Sequence, residues 1–151
     1  MKYCIRKLNK HDFDRGILET LQQLSYFHKQ NIKHDQFIDF INFMPVNTHI
    51  YVIVDRYTHK VIASSTIIFE EKIIHNMGVV CHIEDLVVHE HYRNSKIGKM
   101  LLNFIIDKAK EDKKCYKIIL NCSEKNRVFY EKHNFKQKNV EMSMYLGNSK
   151  L

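Results

Sequence analysis

Glycine and proline are scarce, four and one in 151 residues, roughly a quarter of average usage. That scarcity excludes Gly/Pro-rich repeats and long flexible linkers. Cysteine is sparse as well. Cys4, Cys81, Cys115 and Cys122 include no CxxC pair, so they read as reduced thiols acting as small hydrophobes, not as a disulfide framework. No apolar run approaches the roughly 20 residues that span a bilayer. The N-terminal stretch MKYCIRKLNKHDFD alternates charge and lacks the apolar segment of a signal peptide. The expected location is cytoplasmic, with no membrane partner. What remains is 44% apolar and 11% aromatic, which excludes a disordered polyelectrolyte. The length fits a single domain over residues 1–151.

Charge is unevenly placed. Residues 1–92 carry 10 Lys and Arg against 11 Asp and Glu, whereas residues 93–138 carry 13 against 5. A net charge of +8 in one third of the chain points to an anionic partner bound there. Nucleic acid, a polyphosphate cosubstrate and an acidic membrane all satisfy that condition, as does a solvated face that merely keeps the protein soluble.

The pattern predicts a mixed α/β domain in the order β-α-α-β-β-β-α-β-α-β. A first strand is expected at 3–8. Asp12 is placed to cap a helix whose stripe is Phe13, Ile17, Leu18, Leu21 and Leu24. Asp35 is placed to cap a second, stopped before Pro45. Runs 49–54 and 61–69 form a hairpin. Residues 79–88 (VVCHIEDLVV) are the most strand-like segment, interrupted by Glu84 and Asp85. Adjacent acids in a buried strand are costly unless paired, so either the strand bulges or the acids face a site. A helix at 98–111, a buried strand at 117–122, a short helix at 126–132 and a last strand at 141–146 complete the pattern.

The informative stretch is VVHEHYRNSKIGK, residues 87–99. A strand ends, a loop carries Arg93, Ser95 and Lys96, and Gly98 lies where a helix begins. A helix N-terminus presents unpaired N–H groups and the positive end of the helix dipole, and so favours phosphate. Neither a GxxxxGK[ST] loop nor a GxGxxG fingerprint is present. His89-x-His91 has zinc-like spacing, but no further ligands cluster with it, and no metal is expected. His82 reads as a structural strand histidine.

Arg93-Asn94-Ser95-Lys96-Ile97-Gly98 resembles the pyrophosphate loop of the GNAT acetyltransferase superfamily, [Q/R]-x-x-G-x-[G/A], with Lys96 in place of the first glycine. His82-Ile83-Glu84-Asp85, Gly98-Lys99, Leu101-Leu102, Cys115 to Leu120, Cys122, Asn126, Phe129-Tyr130-Glu131-Lys132 and Phe135 further resemble the glucosamine-6-phosphate N-acetyltransferases. The likeness is strong over residues 72–146 and faint before them.

The resemblance implies a GNAT fold: one mixed, mostly antiparallel sheet flanked by helices and splayed between the strands near 79–88 and 117–122. Acetyl-CoA would lie in the gap, its pantetheine paired with Leu86, Val87 and Val88 as an added strand. Its pyrophosphate would sit on Arg93, Asn94, Ser95, Lys96, Ile97, Gly98 and Lys99, with Asn126, Tyr130 and Lys132 as further cosubstrate contacts. Tyr130 would assist the leaving thiolate. Glu84 and Asp85 would bind the sugar's hydroxyls and ammonium. Asn121 stands where relatives often carry an aspartate. Asparagine accepts a hydrogen bond from the amine but takes no proton, so deprotonation falls to Glu84, a strand carbonyl or water. Lys72, His75, Tyr116 and Lys117 match substrate-contacting positions, Ser25 an N-terminal one. Tyr145 occupies the place of a phosphate-binding arginine.

The activity so implied is transfer of acetyl to the 2-amino group of glucosamine 6-phosphate, in a homodimer joined through the C-terminal strand, without nucleic acid. Two alternatives stand beside it: a GNAT enzyme acting on a protein or polyamine amine, and a non-catalytic basic domain that binds nucleic acid.

Overall fold

The computed structural model describes residues 1–146. Its elements are β1 Tyr3–Lys7, α1 Ile17–Leu21, α2 His34–Asn42, β2 Thr48–Asp55, β3 Val61–Glu71, a one-turn α3 Ile74–Met77, β4 Val79–Val88, α4 Ile97–Glu111, β5 Cys115–Leu120 and α5 Glu124–Glu131. Two compact units result, residues 1–119 and the chain from Leu120 onward.

In the first unit the sheet runs β1-β2-β3-β4-β5. The β1–β2, β2–β3 and β3–β4 pairs are antiparallel. Near its start β4 meets the chain leading into β5, where Val79 N–H donates to the Lys114 carbonyl at 2.9 Å. Because strand side chains alternate between faces, β2 divides its residues between two helical layers. Ile50, Val52 and Val54 pack with Leu8, Ile17, Leu18 and Phe37 beneath α1 and α2. Tyr51 points the other way, its ring 5.0 Å from that of Phe104 on α4. Helix α4 buries Leu101, Leu102, Ile105 and Ala109 at helical spacing.

Four expectations need correction. Asp12 does not cap α1, whose N-cap is Gly16 in a left-handed conformation. Asp12 is instead fully buried and held by Arg6 through two bonds of 2.6 and 2.7 Å. A carboxylate removed from water requires such a partner, and that demand outweighs local capping preference. Lys33, not Asp35, is the N-cap of α2, with the Gln36 side chain accepting from its N–H at 2.9 Å. The strand expected at 117–122 forms at 115–120 and is half exposed, as suits its place at the end of the sheet. The last strand, expected at 141–146, does not form: these residues lie outside regular structure, and Met142, Met144 and Tyr145 are exposed. A strand needs a neighbour to satisfy its backbone, and alternation alone supplies none.

Candidate active site

At Glu84 and Asp85 the strand bulges. Register passes from Ser64 opposite Val87 to Thr66 opposite Glu84, so Ser65 faces both Asp85 and Leu86. One residue opposing two is the signature of a β-bulge. Asp85 takes a left-handed backbone, φ 52°, and Ser65 Oγ donates to the Glu84 carbonyl at 3.0 Å. The bulge leaves Asp85 exposed and Glu84 half-buried, which resolves the cost of adjacent acids in an otherwise buried strand.

Register also settles which face carries the acids. Ile50 lies opposite Thr66, and Thr66 opposite Glu84. Ile68 lies opposite His82, two residues before Glu84 on β4. Glu84 and His82 therefore share the face covered by α1 and α2. On that face a cavity of about 410 Å³ has mainly apolar walls, among them Ile17, Leu18, Phe37 and Ile50, with Thr66 and Asp85 as polar lining.

Toward the β3–β4 turn the same face becomes charged. The Glu70 carboxylate bridges two groups, Lys72 Nζ on one oxygen and His82 Nε2 on the other at 2.9 Å. These two partners hold the Glu70 carboxyl below its ordinary range. The turn is closed by Lys72 N–H donating to the Gly78 carbonyl at 2.8 Å. Within it His75, Asn76 and Met77 adopt left-handed conformations. The His75 ring lies 4.4 Å from that of Tyr116 on β5, and Lys117 Nζ is 5.9 Å from the same ring. Gly78 makes this packing possible: a Cβ there would stand 2.8 Å from Tyr116 Cδ1 and 2.9 Å from the His75 carbonyl oxygen. The structure thus gathers Lys72, His75, Tyr116 and Lys117 around one turn. Ser25 is exposed in the connection after α1. Glu70 and Gly78 were not singled out from the sequence. The usable signal for Glu70 is its spacing of two from Lys72 at a strand end, which puts both on one side.

The other end of β4 leads into the basic loop. Leu86 and Val88 are half-buried and Val87 is buried. Arg93 Nε donates to the Val88 carbonyl at 3.2 Å, and Ser95 Oγ donates to the Tyr92 carbonyl. Asn94 and Lys96 have φ of 63° and 64°. Lys96 is both the N-cap of α4 and the residue standing where the loop motif has glycine, and the left-handed backbone is the reason glycine suits that position. Gly98 itself sits in the first turn and is not left-handed. The first intrahelical bond runs from Met100 N–H to the Lys96 carbonyl, 2.9 Å, so the N–H groups of Ile97, Gly98 and Lys99 point out of the helix end. With Arg93, Lys96 and Lys99 all exposed, this end fits a pyrophosphate.

In the second unit Asn121 and Cys122 are exposed ahead of α5, and Asn126 and Lys132 are exposed on and just after it. Tyr130 is buried, its ring 5.0 Å from Phe129 and 5.9 Å from Phe135. Burial, reinforced by Cys122, pushes its phenol up to about 12, so Tyr130 is a protonated donor at neutral pH. Tyr145 is exposed in the irregular C-terminal segment. Among the described residues no group of three or more His, Cys, Asp or Glu is placed to hold a metal ion, and no helix is long and apolar enough to cross a membrane.

Residues 46–137 match the acetyltransferase (GNAT) domain family, whose members use acetyl-CoA as cosubstrate. A Dictyostelium discoideum glucosamine 6-phosphate N-acetyltransferase is 41% identical over 93% of this chain and 89% of its own length. The crystal structure of the Arabidopsis thaliana glucosamine-6-phosphate N-acetyltransferase covers 97% of this chain and 100% of that one, at 33% identity and a TM-score of 0.85. A Trypanosoma brucei acetyltransferase structure covers 95% and 99%, at 27% identity and a TM-score of 0.87. The bulged acidic strand, the basic loop at the start of α4 and the buried tyrosine thus occur in a chain that belongs to the GNAT acetyltransferases, in the branch of the glucosamine 6-phosphate N-acetyltransferases.

Proposed function

We propose that the chain transfers acetyl from acetyl-CoA to the 2-amino group of D-glucosamine 6-phosphate, by direct attack in a ternary complex. The products are N-acetylglucosamine 6-phosphate and CoA, a step toward UDP-N-acetylglucosamine. One observation carries the choice of acceptor. The α1/α2 face of β3 and β4 offers carboxylates at the bulge, Glu84 and Asp85, and the Lys72 ammonium toward the turn. An acceptor with an ammonium at one end and a phosphate at the other is complementary to that polarity.

In this reading the amine loses a proton to Glu84 or water, while a strand carbonyl and Asn121 accept hydrogen bonds from it. The amine nitrogen attacks the thioester carbonyl carbon, the C–S bond breaks, and Tyr130 donates to the departing thiolate. The loop from Arg93 to Lys99 holds the pyrophosphate, Leu86, Val87 and Val88 pair with pantetheine, and Asn126 and Lys132 add contacts. Lys72, His75, Tyr116, Lys117 and Ser25 contact the sugar phosphate. The whole chain acts as one acetyltransferase domain in the cytoplasm.

A homodimer belongs to the same proposal. Val140, Met142 and Met144 alternate along an exposed C-terminal segment. Pairing this segment with a second copy would make it a strand and bring Tyr145 to the partner's sugar-phosphate site.

The deciding experiment measures release of free CoA with glucosamine 6-phosphate, glucosamine, a lysine peptide and spermidine. Turnover highest with the sugar phosphate supports the reading. Turnover only with another amine replaces it, and DNA binding that persists at saturating acetyl-CoA with no turnover favours a nucleic-acid-binding domain.

A further inference from the structure

We infer that Glu70 and His82 are positioning residues that hold the Lys72 ammonium ready for the phosphate of the acceptor. This rests on the reading above, in which Lys72 contacts that phosphate. Lysine has a flexible stem with four carbons, and its charge is useful to a ligand only where the stem is held. Here the restraint is built from the sheet outward. His82 lies within β4, in register with Ile68 of β3, and its side chain is about three-quarters covered. A carboxylate only accepts, so the 2.9 Å contact between His82 Nε2 and Glu70 Oε2 places a proton on that nitrogen. Glu70 is thereby fixed at one oxygen and offers the other to Lys72. One of the three ammonium donors is used, and two remain for a ligand. The chain of contacts thus runs from a strand-borne imidazole, through a carboxylate, to a lysine held at the turn.

The opposing view is an ordinary surface ion pair. Glu70 would then do no more than cancel part of the Lys72 charge, as exposed pairs commonly do with little effect. The two views differ in sign. If Glu70 only dilutes positive charge, its neutralisation strengthens phosphate binding. If it positions Lys72, neutralisation weakens binding despite the more favourable net charge.

The test compares wild type, Glu70→Gln, His82→Ala, His82→Gln and the double variant Glu70→Gln/His82→Ala, each with glucosamine 6-phosphate and with glucosamine. Positioning predicts that Glu70→Gln and His82→Ala raise KM for the sugar phosphate roughly five-fold. It also predicts unchanged kcat, unchanged KM for glucosamine and wild-type acetyl-CoA affinity. His82→Gln, which keeps an N–H donor, recovers most of the loss, and the double variant is no worse than Glu70→Gln because His82 acts through Glu70. A lowered or unchanged KM in Glu70→Gln overturns the inference, as does an equal effect on both acceptors or an additive double variant. These results would leave the proposed activity standing. A wild-type protein that does not turn over glucosamine 6-phosphate would end both.

Discussion

Replacing Tyr130 with phenylalanine removes one oxygen and leaves the packing against Phe129 and Phe135 in place, so the effect on rate isolates the phenol's chemistry. The phenol stands at about 12, whereas an ordinary thiol titrates near about 8.5. Complete proton transfer from Tyr130 to a thiolate is therefore uphill by roughly 3.5 pH units, or about 5 kcal/mol. Stabilisation of the leaving group then comes from a charge-assisted hydrogen bond that tightens as the C–S bond breaks. A bond of that kind contributes roughly 1.5–3 kcal/mol, and its loss lowers kcat by roughly 10- to 150-fold. The expected result for Tyr130→Phe is a kcat near 1% of wild type by free-thiol release, with acetyl-CoA affinity within two-fold by calorimetry. The direction of the shift also fixes the pH dependence. Because the phenol titrates above its ordinary value, it remains protonated from pH 6 to 10 and adds no falling limb to kcat in that range. A kcat within three-fold of wild type would reduce Tyr130 to a packing residue. A Tyr130-dependent fall in rate between pH 8 and 9 would refute the argument from burial.

Gly98→Asp should weaken acetyl-CoA binding by at least ten-fold in calorimetry, since a side chain and a negative charge would enter the N-terminal turn of α4; unchanged affinity would take that turn out of the cosubstrate site. Gly78→Ala should lower the melting temperature by several degrees, the result of roughly 1–3 kcal/mol of overpacking against the Tyr116 ring and the His75 carbonyl, and should raise KM for the sugar phosphate; a melting temperature within one degree would contradict the contact. Ending the chain at Asn139 should convert a dimer into a monomer by light scattering and abolish sugar-phosphate turnover while acetyl-CoA still binds; a full-length monomer with complete activity would overturn the assembly.

The sequence by itself determined the elements marked by strong short-range apolar patterns. The β-branched run at 79–88 is β4 to the residue, the Leu101, Leu102, Ile105 and Ala109 stripe is α4, and the hairpin of 48–71 brackets the runs read at 49–54 and 61–69. These are short-range patterns, and burial of one face enforces them. The basic loop and the paired acids were legible for a related reason: each breaks its local pattern at a point where charge would otherwise be costly. What depends on contacts between distant segments needed the folded chain. Asp12 read as a cap until Arg6, across a turn, claimed its carboxylate. Glu70 and His82 meet only because β3 and β4 pair in one register out of several the pattern allows. Lys96 declared itself as a left-handed residue only through its φ. The C-terminal alternation at 140–146 is real in the sequence yet forms no strand in the single chain, because a strand is completed by hydrogen bonds to a neighbour, and no run of side chains can supply the neighbour itself.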